Sequence, residues 1–262
     1  MIQSNDLSPY LGSLSLGAWR YFPSVGSTND QALAWARQDA PDWALVVADA
    51  QTAGRGRNGR RWITSPGSAL AMSLVLRPSP QEVRCFSRFT ALGALGLMRA
   101  LSGLGLTAEL KWPNDILLAG KKVAGVLVEA DWQADRVEYV VIGIGVNVAQ
   151  ESVPPSESLR YPATAVETVL GDQVDRWALL AETLKAMQAY RNILAEEAFM
   201  RAWNEGLAFN HAWVRFRMWD EAWHTVKVLE VRPDGRLALE HEGGQQTSVA
   251  TGEILMLDLQ EQ

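Results

Sequence analysis

Short apolar runs, separated by glycine, proline and polar residues, recur along the chain as far as Val148. Runs of this length with such boundaries are typical of buried β-strands. Some connections between them, such as Ala119-Gly120, are as short as hairpin turns, which favours antiparallel pairing. The strands predicted from these runs are Gly17–Phe22, Ala44–Ala48, Ala69–Leu76, Thr107–Trp112, Ile116–Leu118, Lys122–Glu129 and Glu138–Val148.

Apolar residues at helical spacing predict helices between and after these strands. Ser27 or Thr28 is suited to cap the first helix, because a side-chain oxygen there can bond a free N–H group of the first turn. Strands outnumber helices, so we expect the α+β class, with a mixed, largely antiparallel sheet and helices on one face. The predicted helices are Gln31–Arg37, Gln81–Leu104, Val174–Leu194 and Glu197–Glu205.

The pattern changes after Asn210, where apolar residues from Val214 to Met218 alternate with Arg215 and Arg217 as in a half-buried strand. Turn signals rich in glycine then separate three further strands. We therefore predict a main domain of residues 1–208 and a small SH3-like β-barrel of residues 209–262. The further strands are Val226–Val231, Leu237–Glu240 and Ile254–Leu259.

Composition and charge narrow the function classes. The formal net charge is −6, whereas a dedicated nucleic-acid-binding domain is usually basic. The single cysteine, Cys85, excludes an internal disulfide and a thiolate zinc cluster, and we expect it to be a small core residue in a helix. No histidine precedes His211, which excludes a histidine-based triad in the main domain. No signal peptide and no membrane-length apolar run is visible, so we expect a cytoplasmic protein.

The segment Gln51–Arg61 carries the most informative chemistry. It holds four arginines and three glycines, with no acidic residue and no aliphatic side chain larger than alanine. Glycines let a backbone approach a ligand closely, and clustered guanidinium groups bind carboxylates and phosphates. A loop of this kind is suited to fold around a small anionic ligand, although a solvated charged loop is the alternative interpretation.

Three further motifs place polar groups at the ends of predicted strands. Lys111–Asp115 reads Lys-Trp-Pro-Asn-Asp, in which the last residues also fit an ordinary turn. Gly120–Gly125 brings Lys122 to the start of an apolar strand, and Gly143–Asn147 ends an apolar, glycine-bearing strand with asparagine. Alternating glycines suggest that a neighbour or ligand approaches the backbone closely. Together these groups are suited to hold phosphates and a carboxylate.

Several common motifs are absent from the sequence. It has neither a P-loop nor a Gly-x-Ser-x-Gly nucleophile elbow. Gly54–Gly56 has the spacing of a dinucleotide fingerprint, but the residues after Gly59 do not support the required helix. A cationic site without a nucleophile fits phosphoryl or nucleotidyl chemistry, in which the protein positions the groups and neutralises developing charge.

The four motifs, in this order and after Ser27-Thr28-Asn29, resemble those of the biotin–protein ligase family. The resemblance covers about residues 17–260 and includes the small C-terminal β domain. It implies the class II synthetase-like catalytic fold and a two-step reaction. Biotin and ATP form biotinyl-5′-AMP, and the biotinyl group then passes to a lysine of a biotin carboxyl carrier domain of acetyl-CoA carboxylase.

The resemblance also assigns roles to residues. It implies that Lys122 and Arg57 are catalytic, and that Mg²⁺ enters through the ATP phosphates with no certain protein ligand. The residues implied to bind biotin are Ser27, Thr28, Asn29, Gln51, Gly54, Arg55, Gly56, Arg57, Lys122 and Gly125. The residues implied to bind ATP are Arg57, Arg60, Trp62, Lys111, Asn114, Lys122 and Asn147.

Some members of the family carry an N-terminal helix-turn-helix and repress operons, but Ser27 comes too early for one, so we expect no DNA binding. We expect no membrane partner, and either a monomer or a homodimer. One alternative is a lipoate–protein ligase, whose members share the catalytic fold but lack the arginine-glycine signature. The other is a nucleic-acid-binding module, for which affinity would fall steeply with salt.

Overall fold

The structure is a computed structural model of the 262-residue chain, and it describes residues 7–134, 136–155, 159–218 and 222–257. In these residues the helices are α1 (Ser8–Leu11), α2 (Thr28–Ala36), α3 (Pro80–Val83), α4 (Arg88–Gly103), α5 (Val166–Leu170), α6 (Arg176–Asn192) and α7 (Glu197–Glu205). The strands are β1 (Ala18–Phe22), β2 (Ala44–Ala48), β3 (Ala69–Leu76), β4 (Ala108–Lys111), β5 (Asp115–Leu118), β6 (Lys121–Gln133), β7 (Arg136–Asn147), β8 (Trp213–Arg217), β9 (His224–Val231), β10 (Leu237–His241), β11 (Gln246–Val249) and β12 (Glu253–Met256).

The first seven strands form one mixed sheet in the order β1-β2-β3-β7-β6-β5-β4. Only β1 and β2 pair in parallel, and the other neighbours are antiparallel. The α+β class with a mixed, largely antiparallel sheet is therefore confirmed. No helix among the described residues combines the length and the apolar composition needed to cross a membrane.

Helices cover both faces of this sheet. Successive side chains of a strand point to opposite faces, so one strand can contribute to two separate cores. Leu45 and Val47 of β2 pack in the main core with residues of α4 and α6. Ala44 and Val46 pack instead against Trp35 of α2 in a second cluster. The prediction that the helices lie on one face is therefore wrong in this respect: α4 and α6 lie on one face, and α2 lies on the other, where it helps to build the site described below.

The last five strands form a separate antiparallel sheet in the order β11-β10-β9-β8-β12. The β9–β10 turn contacts the turn after β4 of the larger sheet. There the indole N–H of Trp112 donates to the carbonyl of Gly235 at 3.1 Å. The predicted strand Ile254–Leu259 is observed as β12 as far as Met256, and its last two positions lie outside the described residues. Closure into an SH3-like barrel and the boundary at residues 208 and 209 stay predictions.

Two predictions about helices need correction. The single helix predicted over Gln81–Leu104 is divided into α3 and α4 by a turn at residues 84–87. Cys85 lies in this turn and is half-buried, so its assignment as a helical core residue was wrong. Ser79 and Glu82 form a capping box at the start of α3, and Arg88 begins a new helix after the turn. Sequence patterns also missed α1, α5 and β11.

Candidate functional site

A cavity of about 770 Å³ lies on the face of the large sheet that α2 covers. It contains every residue that the resemblance assigned to a ligand except Gly54. The first turn of α2, the loop after β2, the β4–β5 turn and the middle of β6 and β7 all line this cavity. Segments far apart in the chain thus converge on one site.

The arginine-glycine loop folds back on itself in a tight turn. Gly56 N–H donates to the carbonyl of Arg60 at 2.8 Å, and Trp62 N–H donates to the carbonyl of Gly54 at 2.9 Å. Asn58 and Gly59 have φ of 58° and 70° and reverse the chain direction. Gly54 lines no part of the cavity, but a Cβ atom there would collide with the carbonyl oxygen of Trp62. Its part in the fold is therefore to let the two stems of the loop meet.

The floor of the cavity is formed by two glycines of β7. A Cβ atom on Gly143 would collide with the side chain of Asn29, and one on Gly145 would collide with the indole ring of Trp62. The close approach predicted from the alternating glycines is confirmed, and the approaching groups are these two side chains. The absence of side chains on this strand allows α2 and the loop to lie directly on the sheet.

A carboxylate holds two lysines that line the site. Asp115 Oδ1 lies 2.5 Å from Lys122 Nζ, and Asp115 Oδ2 lies 3.9 Å from Lys111 Nζ. Lys122 also lies 5.7 Å from the centre of the Trp62 ring, and Lys111 lies 4.1 Å from that of Tyr161. The cluster is poised to accept an anion, since two cations share one carboxylate.

Burial and charge act on these groups in opposite directions. Burial alone would raise the pKa of Asp115, but the nearby Lys122 and Lys111 outweigh it and lower that pKa below its ordinary value. Burial lowers the pKa of Lys111, and the charge of Asp115 only partly offsets this effect. Burial also raises the pKa of Tyr161 to about 12, with a further contribution from Asp115. Asp115 is therefore held as an anion between its partners.

An irregularity in the ladder aims Lys122 into the cavity. The β5–β6 register shifts between Ile116 and Leu117, so Lys122 pairs with Leu117 and Gly125 pairs with Asp115. Residues three apart would lie on opposite faces of a regular strand. The extra residue of such a bulge brings Lys122 and Gly125 to the same side.

The arginines of the loop have different partners. Arg55 pairs with Asp30 of α2 at 2.7 Å and with Glu129 of β6 at 2.6 Å. Arg60 lies 3.5 Å from Glu253 of the small sheet. Arg57 donates to Asn114 Oδ1 at 3.2 Å, and within the described part of the chain no carboxylate lies within 4.0 Å of it. Burial lowers the pKa of Arg57, although Asp115 partly opposes this effect. Arg57 is thus a cation available to a ligand.

Hydroxyl and amide groups of α2 and of the loop after β2 form another part of the cavity lining, which we call the polar end. Thr28 N–H donates to Gln51 Oε1 at 2.8 Å, and Gln51 Nε2 donates to Thr64 Oγ1 at 2.9 Å. Asn29 Nδ2 donates to Glu129 Oε2 at 2.8 Å.

Asn147, predicted on the ATP side, donates to the carbonyl of Thr164 at 3.1 Å while lining the cavity.

Sequence reasoning left several residues that touch or support the site without a role. Asp115 was noted in its motif without an assigned role, although both lysines converge on it. A signal existed for Ser73, which is the single polar residue in the apolar run Ala69–Leu76. The residues without such a signal are Thr64, Glu129, Tyr161 and Glu253.

Comparison with a solved structure identifies the fold. The biotin protein ligase from Aquifex aeolicus in complex with biotin and ATP superposes with a TM-score of 0.76 at 26% sequence identity. The match covers 91% of this chain and 97% of that one. The chain therefore has the fold of a biotin protein ligase.

Sequence comparisons identify the family. Residues 21–147 match the Biotin/lipoate A/B protein ligase family, so the chain carries a domain that belongs to this family. The bifunctional ligase/repressor BirA of Bacillus spizizenii is 38% identical over 176 residues, which are 66% of this chain and 54% of that protein. The biotin–[acetyl-CoA-carboxylase] ligase of Paracoccus denitrificans is 39% identical over 149 residues, 56% of this chain and 60% of that protein. The matches thus span little more than half the length of these relatives.

Proposed function

We propose that this protein is an ATP-dependent biotin–[biotin carboxyl-carrier protein] ligase. The observation that carries the proposal is that one cavity is lined both by a group of cations, Lys111, Lys122 and Arg57, and by the polar end at Thr28 and Gln51. Biotin has a carboxylate at one end and a ureido ring at the other, so it carries a suitable partner for each of these two groups. The family match and the Aquifex aeolicus complex support the same assignment.

The first step joins two anions. A carboxylate oxygen of biotin attacks the α-phosphorus of ATP, the bond from that phosphorus to the bridging oxygen breaks, and pyrophosphate leaves. The product is the mixed anhydride biotinyl-5′-AMP. Lys122 and Arg57 are placed to offset the repulsion between carboxylate and phosphate and to stabilise the charge that develops in the transition state.

The second step transfers the acyl group. The amine of an acceptor lysine attacks the acyl carbon of the anhydride, an amide bond forms, AMP leaves, and the amine loses a proton to solvent or to the departing phosphate. The chain's own contribution is positional, since the folded loop and the sheet floor enclose the anhydride and limit its reaction with water. We propose a carrier domain of acetyl-CoA carboxylase as the acceptor.

Roles follow for the residues that line the cavity. We assign Ser27, Thr28, Gln51, Arg55, Gly56 and Gly125 to the biotin side, and Arg60, Trp62, Lys111, Asn114 and Asn147 to the ATP side. Gly54 supports the loop rather than touching a ligand. Asn29, expected to bind biotin, has its amide occupied by protein groups, as argued in the next subsection.

Mg²⁺ is assigned to the ATP phosphates. The described residues contain no cluster of three or more histidine, cysteine, aspartate or glutamate side chains, and Asp115 already faces two lysines. This donor set fits an ion that keeps several waters and binds through substrate phosphates. When bound, such an ion neutralises charge on the triphosphate.

Intact-mass measurement tests the proposal. The protein is incubated with biotin, Mg-ATP and a carrier domain, and we expect one added biotinyl group on the carrier. A carrier whose acceptor lysine is replaced by arginine is the matched control and should gain no mass. Transfer of lipoate but not biotin would move the assignment to a lipoate–protein ligase. Action in the cytoplasm, the absence of DNA binding and the choice between monomer and homodimer stay predictions.

A further inference from the structure

A series of buried hydrogen bonds behind the polar end of the cavity determines which groups there can accept a hydrogen bond from a ligand. Ser73 Oγ of β3, which is fully buried, lies 2.5 Å from Asn29 Oδ1 and 2.8 Å from Thr28 Oγ1. A hydroxyl group has one proton to donate. The direction of each hydrogen bond in this series therefore follows from its two ends, where the donor and acceptor roles are fixed.

The orientation of Asn29 is one fixed end. Its Nδ2 lies 2.8 Å from Glu129 Oε2 and 3.4 Å from the carbonyl of Leu127, and both partners only accept. Glu129 accepts two further bonds from the guanidinium of Arg55, at 2.9 and 2.6 Å. The amide N–H groups of Asn29 are thus engaged, and its Oδ1 must face Ser73.

The orientation of Asn29 determines which acceptor the single hydroxyl proton of Ser73 faces. Because Asn29 Oδ1 can only accept, Ser73 O–H donates to it, and Ser73 Oγ accepts from the hydroxyl of Thr28. The proton of Thr28 is consumed inside the protein. Its oxygen keeps a lone pair, and it lines the cavity.

Gln51 is the second fixed end. The backbone N–H of Thr28 can only donate, so the atom of Gln51 that faces it is the acceptor Oε1. This oxygen lies 3.2 Å from Thr28 Oγ1, so the Thr28 hydroxyl has two acceptors, and the shorter of its two bonds is the 2.8 Å bond to Ser73 Oγ. When the Thr28 proton lies on that shorter bond, two acceptor oxygens stand side by side among the residues that line the cavity.

We infer that Ser73 is a positioning residue that makes this end of the cavity select ligands with N–H donors. The inference rests on the proposed function, because the ureido ring of biotin has two N–H groups, whereas the dithiolane ring of lipoate has none. Without the Ser73 hydroxyl, the Thr28 proton can turn to Gln51 Oε1, and the two acceptors satisfy each other instead of a ligand.

The test compares biotin binding by the wild-type protein and by Ser73→Ala in isothermal titration. We expect the Kd for biotin to rise about 10- to 100-fold, the range for the loss of one or two neutral hydrogen bonds. Ser73→Thr keeps the hydroxyl and should bind within about threefold of wild type. Thr183→Val is the matched control, since Thr183 is another fully buried hydroxyl, bonded to the carbonyl of Leu179 on the opposite side of the sheet. It should leave the Kd unchanged.

A second ligand separates a hydrogen-bonding role from a merely structural one. Biotin methylated at one or the other ureido nitrogen lacks one N–H donor, and we expect at least one of these compounds to lose more affinity for wild type than for Ser73→Ala. Equal losses for both proteins, or a normal Kd of Ser73→Ala for biotin, would overturn the role of Ser73. If the wild-type protein itself does not bind biotin, the proposed function fails instead.

Discussion

Lys122 Nζ lies 2.5 Å from Asp115 Oδ1, so the cation proposed to act on the reacting groups is held by the last residue of the Lys-Trp-Pro-Asn-Asp motif. Two motifs that are separate in the sequence therefore form one ion pair. The lysine is oriented before any ligand arrives, and an incoming anion must share it with the carboxylate. This arrangement places Lys122 without leaving a buried positive charge uncompensated.

Lys122→Ala should slow the formation of biotinyl-5′-AMP by about 10²- to 10³-fold, because it removes a charge that stabilises the transition state. Pyrophosphate release measures the rate. The neighbouring Lys121 is exposed and makes a matched control, since Lys121→Ala also removes one positive charge. A Lys122→Ala rate close to that of Lys121→Ala would remove Lys122 from the proposed role.

The lowered pKa of Asp115 predicts a dependence of stability on pH. A carboxylate with a pKa below its unfolded value, about 3.9, contributes stability above that pH, and the contribution is lost as pH falls through the folded value. We compare the free energies of unfolding of wild type and Asp115→Asn by urea titration between about pH 3 and pH 6. The advantage of wild type should be largest near pH 6 and shrink below about pH 4. A difference that is constant across this range would contradict the prediction.

Trypsin should cut the arginine-glycine loop in the absence of ligands and fail to cut it with biotin and ATP present. The first cuts are expected after Arg60 and Arg61, which are exposed, rather than after Arg55, which is held by two carboxylates. Mass spectrometry of the fragments measures the order. Arg236, in the turn of the small sheet, is the internal control, and its cleavage should not respond to ligands. Equal cutting of the loop in both conditions would show that ligands do not order it.

Gly145→Ala should weaken ATP binding about tenfold, because its Cβ atom would displace the ring of Trp62, which we assign to the ATP side, from its place against the sheet. Gly103→Ala is the control, since a Cβ atom at the end of α4 meets nothing within 4 Å. Titration of a non-hydrolysable ATP analogue into both variants in the presence of biotin measures the effect. Normal affinity of Gly145→Ala would mean that Trp62 can move without consequence for the ligand.

Trp112→Phe should lower the free energy of unfolding by at least about 1 kcal/mol, because it removes the N–H that donates to Gly235 and part of a buried ring. Trp213 is 40% exposed, and Trp213→Phe should change stability much less. Chemical denaturation of the two variants provides the comparison. Equal stabilities would show that the bond between Trp112 and the β9–β10 turn contributes nothing net.

Much of the fold was predictable because most strands are either apolar runs or alternating segments with clear boundaries. The failures occurred where local interactions decide the outcome. The pattern over Gln81–Leu104 is helical throughout, but a turn at residues 84–87 divides it into α3 and α4. The strand β11 contains Gln246, Thr247 and Ser248, and it forms through pairing with β10 rather than through an apolar run.

The candidate site was predictable where a motif concentrates unusual chemistry, as in Gln51–Arg61. Its supporting groups were not, because an ordinary glutamate such as Glu129 becomes informative only when folding brings it 2.6 Å from Arg55. Asn29 is the opposite case. Its residue type suits a ligand contact, yet its amide groups are bonded to Ser73 and Glu129.

The bare backbone of β7 at Gly143 and Gly145 has a consequence for how this protein can vary. Even the smallest substitution at either position would push away a neighbouring group, Asn29 in one case and Trp62 in the other. We expect a saturation library at these two codons to return almost nothing but glycine among active clones. The specificity of this protein would then depend on atoms that the strand lacks as much as on those that surround it.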